Sequence, residues 1–391
     1  MKYLSDFNLS GKKVLVRVDF NVPLDESKKI TDDNRIKQAV STIKHITEKG
    51  GRAVLMSHLG SPDGTKDLNC SLAPCAQKLG ELLGKPVELA ADCVGPDVEK
   101  KVATLKDGEV LLLENLRFHP GETNNDPEFS ALLSRLGDIY VNDAFATAHR
   151  AHASMVGVAK LFKEKCAGLL MQKELEFADK ALKNPKKPLC VVLGGAKTST
   201  KLAALINIAD KADKIIIGGA MANTFLAAQG LQLGKSLVER ELFPQVVKLM
   251  ATLARRDCKL YLPVDFMVGP SLATKGVARA VPAQEMPADM MALDVGPATS
   301  LLFKEAIQSA ETIIWNGPMG AFEHEDYANG THSLIEALGG SHGLTLVGGG
   351  DTDAAIHAME MAHKFSYIST GGGAFLYILE GKPLPALQAL G

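Results

Sequence analysis

Short, β-branched apolar runs that do not alternate with polar residues punctuate this chain, and the residues just after each run divide it in two. The early runs open into Asp, Asn, His and Arg: VLVRVDFNVP from Val14, RAVLMSHLG from Arg52, PVELA from Pro86, EVLLLENLRF from Glu109 and DIYVNDAFATAHR from Asp138. The later runs are LCVVLGGAK from Leu189, KIIIGGAM from Lys214, KLYLPVDF from Lys259, TIIWNGPMG from Thr312, LTLVGGGDT from Leu344 and SYISTGGGAF from Ser366; all but the third lead into glycine. Such runs, separated by longer helix-like stretches, predict parallel strands buried on both faces by helices. In sheets of that kind ligands bind beyond the carboxyl ends of the strands, which is where these residues fall. Two kinds of strand end imply two different ligands.

A length of 391 residues suggests two domains, at about 150 residues each. The segment LKNPKKP, 182–188, pairs prolines with like charges before a fresh strand and is the best boundary. Of the glycines, 13 precede residue 186 and 23 follow it, so the second half is the one that brings backbone close to something. Just before the boundary, LLMQKELEFADKAL (169–182) sets Leu170, Leu175, Phe177, Ala178 and Leu182 among charges, predicting a helix of three or four turns that joins the domains. The expected fold is α/β, with two doubly wound parallel-sheet (Rossmann-like) domains joined by a hinge helix. The near balance of 43 basic and 45 acidic residues leaves no basic field for nucleic acid. Six cysteines without any CxxC read as free thiols in a reducing compartment. With no leader-like apolar stretch and no run approaching a membrane span, a soluble, cytoplasmic protein is expected.

In the glycine-rich half, Lys197 and Lys201 lie four apart in GGAKTSTKL. If a helix begins near Ala196 they share its first turn, where two cations cost stability unless an anion occupies the site. Two solvated surface lysines are the alternative. VGGGDT adds a second strand-to-helix turn, whose glycines can present bare N–H groups to phosphates while Asp351 supplies an oxygen suited to Mg²⁺ or merely caps the helix. STGGGA (369–374) and GGAMANTF (218–225) are further turns of the same type. Four such turns in one half point to a polyphosphate. There is no GxxxxGK[ST], and no GxGxxG follows the first strand of either half, which argues against a P-loop enzyme and a dinucleotide dehydrogenase. Glu323, after the Pro-Gly turn of WNGPMGAFE, suits ribose hydroxyls better than phosphate.

The polar half gathers Arg17, Asp19, Asn21, Arg35, His58, Arg117, His149 and Arg150, and carries six of the ten arginines. Convergent guanidinium forks imply a small anion bearing carboxylate, phosphate or both. Asp19 and Asn21, two apart on an extended segment, face the same way; they could accept from a substrate hydroxyl or hold arginines in place. Arg17 reads as structural. No Ser-His-Asp order, HExxH or Cys/His metal spacing appears, which leaves hydrolase and zinc readings without support.

Taken in order, RVDFNVP, SHLGSP, ENLRFHPGE, NDAFATAHRAHAS, LGGAKTSTKL, IIGGAMANTF, WNGPMGAFE, VGGGDT and YISTGGGAF make a pattern that resembles the phosphoglycerate kinases, from residue 13 to the tail. The resemblance implies reversible phosphoryl transfer between 1,3-bisphosphoglycerate and ADP, giving 3-phosphoglycerate and ATP, with Mg²⁺ as cofactor. It implies that Asp19, Phe20, Asn21, Arg35, His58, Gly60, Arg117 and Arg150 bind the phosphoglycerate. Lys197, Lys201, Gly219, Asn316, Glu323, Gly349, Gly350, Asp351 and Thr352 would bind the nucleotide, Asp351 through the metal. Arg35, Lys197, Gly371 and Gly372 would be catalytic. It also implies a monomer, with residues 1–170 plus the returning tail 380–391 as the acid domain, 171–185 as the connecting helix and linker, and 186–379 as the nucleotide domain.

Two departures stand out: the family usually has arginine where this chain has Ser61, and glycine where it has Ala146. Lys66 is the candidate to replace the missing cation. An ionised acceptor carboxylate, with a reference pKa of about 4, needs no general base. Lys197, Arg35 and the helix N-termini at 371–373 are the expected stabilisers of the moving group, and a hinge is expected because the ligands lie on separate domains. Another kinase of small phosphorylated acids and a two-domain solute-binding protein are the alternatives; the second needs no nucleotide site.

Overall fold

The computed structural model describes every residue, Met1–Gly391, and its contacts divide the chain into two compact units, Met1–Glu176 with Pro383–Gly391, and Phe177–Lys382.

The first unit is built on six parallel strands: β1 (Lys13–Arg17), β2 (Arg52–Met56), β3 (Glu88–Leu89), β4 (Val110–Leu112), β5 (Ile139–Asn142) and β6 (Lys165–Ala167). They are ordered β3-β4-β2-β1-β5-β6. Val14, Leu15, Val16, Val54, Leu55 and Val141 are fully buried, as expected of strands covered on both faces. The helix Asn34–Glu48 shows why the flanking segments fold as they do: Ile36, Ala39, Ile43 and Ile46 recur at three- and four-residue spacing and form its buried stripe. Strand β6 has no counterpart among the expected runs, because KCA is too short to register. The tail forms the short helix Pro385–Leu390, which docks in this unit with Ala386 N–H donating to the Ala148 carbonyl at 3.1 Å.

The second unit contains β7 (Leu189–Leu193), β8 (Lys214–Ile217) and β9 (Lys259–Tyr261), a small antiparallel sheet of β10 (Asp265–Gly269), β11 (Arg279–Pro282) and β12 (Met291–Val295), and then β13 (Thr312–Asn316), β14 (Leu344–Gly348) and β15 (Tyr367–Ile368). Its main sheet is parallel and ordered β15-β14-β13-β7-β8-β9. KLYLPVDF, which reads as one strand in the sequence, divides at Leu262–Pro263 into β9 and β10, which belong to different sheets. Proline interrupts a ladder by removing a donor, which accounts for the break. The expected connecting helix is present as Leu169–Leu182. Its first turn is anchored in the first unit, where Leu169 N–H donates to Thr42 Oγ1 at 3.0 Å and Met171 N–H to Asp143 Oδ1 at 3.1 Å. All six cysteines are free, and no helix is long and apolar enough to cross a membrane.

Candidate functional sites

In the first unit the residues after β1, β2, β4 and β5 meet. Asp19 Oδ2 accepts from Arg35 Nη1 at 2.9 Å, and its other oxygen lies 3.8 Å from His58 Nδ1. Asn21 Oδ1 accepts from the Gly60 N–H at 2.9 Å, so of the two roles open to this pair the structure displays positioning: Asp19 holds an arginine and Asn21 holds the glycine loop. Phe20 is buried, its N–H bound to Ser57 Oγ at 2.8 Å. Arg117 Nη1 donates to the Gly60 carbonyl at 2.6 Å and to Ser61 Oγ at 3.0 Å, while its Nε is buried without a protein partner. Lys66, the candidate to replace the missing arginine, is bonded outside this cluster. Its Nζ turns to the Ala91 carbonyl at 3.1 Å.

Arg17 is 1% exposed and structural, in line with the sequence reading: Nε donates to Ser154 Oγ at 2.8 Å and Nη2 lies 3.1 Å from His58 Nδ1. Ser154 lies in a wide π turn, Ala153–Gly157, and passes the interaction on to buried Glu122 at 2.6 Å. Sequence reasoning missed Ser154, Glu122 and His152, because nothing local ties 122 to 154. The electrostatics identify what the cluster can hold. Burial, then the positive fields of Arg17, Arg117, Arg150 and Arg35, push the His58 imidazole well below its ordinary value. Burial and the same field from Arg117, Arg150 and Arg17 take His152 down to about 4. Four guanidiniums act on His58 and both histidines are held neutral, a charge arrangement suited to a small multivalent anion.

In the second unit the turn Gly317–Met319 after β13 is the hub. The Gly194 N–H donates to the Asn316 carbonyl at 3.1 Å, Gly195 to that of Pro318 at 2.9 Å and Gly219 to that of Met319 at 2.9 Å. These glycine N–H groups are therefore spent within the turns, and it is close backbone approach that demands glycine there. Asn316 Nδ2 binds the Gly348 carbonyl at 2.9 Å, and Gly317 N–H binds buried Thr352 Oγ1 at 2.8 Å, joining the β13 turn to the β14 turn. Gly349, at φ +109°, leads into the helix Gly350–Ala358, so Asp351 stands exposed in its first turn and is not its cap. The helix Gly372–Leu379 starts beside the same turn, with Gly371 at its N-cap. Two helix N-termini thus face one place, an arrangement that favours anions.

The expected helix at Ala196 is absent. The next helix is Leu202–Ile208, so Lys197 and Lys201 share no helical turn: Lys197 is exposed on the loop, whereas Lys201 is folded inward. Its Nζ donates to the Gly194 and Asn316 carbonyls at 2.6 and 3.0 Å, and burial takes its pKa down to about 8 against the opposing pull of Asp351. A cavity of about 320 Å³ runs along these turns, bounded by Gly195, Gly219, Leu293, Met319, Glu323 and Asp351. Asn223, also missed from sequence, lines it with both carboxamide atoms buried and without a protein partner. A wider depression of about 620 Å³, between Lys28–Thr31 and the helix Ala73–Leu83, contains none of these residues.

Comparison with known proteins decides between the kinases and the binding proteins. The phosphoglycerate kinase family model matches residues 4–382. The chain belongs to the phosphoglycerate kinase family. The phosphoglycerate kinase of Desulfotalea psychrophila is 52% identical over 390 residues, covering 100% of both chains, and that of Desulfosudis oleivorans is 51% identical, covering 100% of this chain and 98% of the relative. The solved phosphoglycerate kinase structure from Coxiella burnetii superposes with a TM-score of 0.89 at 41% identity, and that from Pyrococcus horikoshii with 0.87 at 35%; each comparison covers 100% of this chain and 98% of the other. The chain is accordingly a glycolytic kinase that moves a phosphoryl group reversibly between 1,3-bisphosphoglycerate and ADP, giving 3-phosphoglycerate and ATP.

Proposed function

We propose that the arginine cluster of the first unit holds 3-phosphoglycerate and that the glycine turns of the second hold Mg-ATP. One observation carries this assignment: buried His58 contacts Arg17 at 3.1 Å and lies in the positive field of Arg117, Arg150 and Arg35, with Asp19 and Asn21 fixing Arg35 and the Gly60 loop. Arg35, Arg117 and Arg150 bind the anionic groups of the acid; Phe20 and Gly60 shape its backbone cradle. In the second unit Lys197, Lys201 and the N-termini at Gly350 and Gly372 face the phosphates, Glu323 takes the ribose hydroxyls, and Asn316, Gly219 and Thr352 hold the turns in register. The donors fit a magnesium nucleotide: Asp351 offers an exposed hard oxygen beside a cation and a glycine turn. Mg²⁺ there supplies charge neutralisation on the phosphate oxygens.

Because the acceptor carboxylate is already ionised, no protein group has to remove a proton. The residues act by position and fixed charge, Arg35 on the acceptor side and Lys197 with the Gly371–Gly372 turn on the donor side. The exposed Lys197 is the cation able to follow the transferring group, whereas Lys201 is anchored. We further assign residues 1–170 with the tail 380–391 to the acid, 171–185 to the connection and 186–379 to the nucleotide, in a cytoplasmic monomer. Coupled measurement of ADP formation from 3-phosphoglycerate and Mg-ATP tests the assignment. Arg117→Ala should raise KM for the acid alone and Lys201→Met KM for the nucleotide alone; crossed effects would reverse it.

A further inference from the structure

The segments that leave the carboxyl ends of neighbouring strands β3 and β4 bring together three side chains that the phosphoryl-transfer reaction does not use. Asp92 and Cys93 lie in the turn after β3, and His119 follows the short 3₁₀ turn Leu116–Phe118 after β4. One ligand atom from each lies within 4.8 Å of the other two. We propose that Asp92, Cys93 and His119 form a binding site for a borderline-soft divalent cation of the zinc class.

The donor set selects the metal. A thiolate, an imidazole and a carboxylate suit Zn²⁺ or Co²⁺, whereas Mg²⁺ and Ca²⁺ prefer all-oxygen shells. Bond lengths of about 2.0–2.3 Å in a tetrahedron require ligand atoms roughly 3.3–3.7 Å apart. His119 Nε2 and Asp92 Oδ1 are now 2.6 Å apart, so the cation needs their separation to grow by about 0.7 Å, within side-chain reach. Asp92 takes the imidazole contact and also faces the Cys93 thiol, whose pKa burial, Asp92 and Glu122 together raise. A dication would replace the thiol proton and be balanced by the same two carboxylates.

The surroundings are those of a three-ligand site with one open position. Cys93 is fully buried, while the Asp92 and His119 side chains are 40% and 32% exposed, leaving a solvent side for a water ligand. Each ligand is held in place. Cys93 N–H binds Asp92 Oδ1 at 2.6 Å, the Asp92 carbonyl receives the Glu114 N–H at 3.4 Å, and the His119 ring stacks on Phe129 with centroids 5.3 Å apart. Lys66, bonded to the Ala91 carbonyl, is the nearby cation that opposes occupancy. No linear Cys/His spacing announces the site, because its ligands come from two separate strand ends.

The test uses the full-length protein, stripped with chelator and free of nucleotide, titrated with Co²⁺ while near-ultraviolet thiolate-to-cobalt charge transfer is recorded. The expected result is one equivalent bound with that band, displaced by Zn²⁺ and weakening as pH falls because a thiol proton must leave. His119→Gln should weaken binding by at least tenfold, and Cys93→Ser should abolish the band. Cys93 is buried, so if its variant fails to fold, His119→Gln and Asp92→Asn, at half-exposed positions, carry the test. No stoichiometric band in the native chain, or a band undiminished in His119→Gln, overturns the proposal; a Co²⁺ site without thiolate character would also overturn it and point to Asp351.

Discussion

Lys201 gives the sharpest expectation because its environment sets both its position and its charge. Its ammonium lies against the carbonyl oxygens of Gly194 and Asn316, and burial takes its pKa down to about 8. A group with that pKa is about three-quarters charged at pH 7.5 and about one-tenth charged at pH 9. Phosphates arriving beside it favour the charged form, so nucleotide binding above pH 8 must draw a proton from solvent. The cost of restoring the charge between these pH values is about 1 kcal/mol, or roughly an eightfold rise in the nucleotide Kd. Starting at pH 7.5 keeps phosphate ionisation, near pH 6, out of the window.

Calorimetric titration with ADP in buffers of different ionisation enthalpy measures both quantities. Proton uptake should approach one per nucleotide at pH 9 and be small at pH 7.5. Lys201→Arg should flatten the profile, since a guanidinium does not titrate in this range. A Kd unchanged within twofold from pH 7.5 to 9, with no buffer dependence, would falsify the inference that Lys201 faces the phosphates. Stability carries the opposite sign. The depressed pKa penalises the folded apo protein below pH 8, and that penalty is relieved as pH rises from about 8 towards 10.5.

Gly317→Ala should raise the nucleotide KM by tenfold or more while sparing KM for the acid: φ is +98° and the new methyl would collide with Lys201 Nζ and the Gly194 carbonyl, at a backbone cost of about 1–3 kcal/mol. Asp143→Asn should flatten the stability profile between pH 4 and 6. Burial raises this carboxyl to about 6, so its charged form is disfavoured on folding and the native chain loses stability as pH rises through that window; parallel melting curves for the two proteins would contradict this. Asn223→Leu should stabilise the apo protein by about 1–3 kcal/mol, by removing a buried carboxamide without a protein partner, yet weaken ADP binding. Denaturant titration and calorimetry separate the two effects, and a gain in both would mean that Asn223 never meets the ligand.

The strands and the turns after them were legible because their signal is local: a run such as Leu189–Leu193 states its burial in five consecutive residues and its turn in the next two. The antiparallel sheet was not legible, since β10 to β12 are short, partly exposed and joined by loops that carry no period. Lys197 and Lys201 show how a correct motif can carry a wrong geometry. The sequence pattern put both on one helical face, but the chain makes a turn through Thr198 before the helix starts at Leu202, and the two cations part. What escaped altogether is pairwise information across long separations: Arg17 to Ser154, Glu122 to Ser154, Asn21 to Gly60 and Asp92 to His119. No window of the sequence contains both partners.

Charge in the two units is arranged differently, and the chemistry gives a reason. An acid that arrives fully ionised must be met by positive charge that does not vary with pH, and arginine provides it, since a guanidinium does not titrate near neutrality. Histidines in such a cluster would add charge that comes and goes around pH 6.5, yet burial and the same arginines hold His58 well below that value and His152 at about 4. The imidazoles are thereby reduced to neutral hydrogen-bonding groups, and the charge of the arginine cluster is fixed across the physiological range. In the proposed nucleotide site Lys201, with its pKa of about 8, keeps its charge above that pH only where a ligand favours it, so in that range an empty site is less cationic. If the proposed assignment holds, the pH response of the enzyme should therefore enter through the nucleotide and not through the acid, although the arginine cluster contains the histidines that a sequence reader would first suspect.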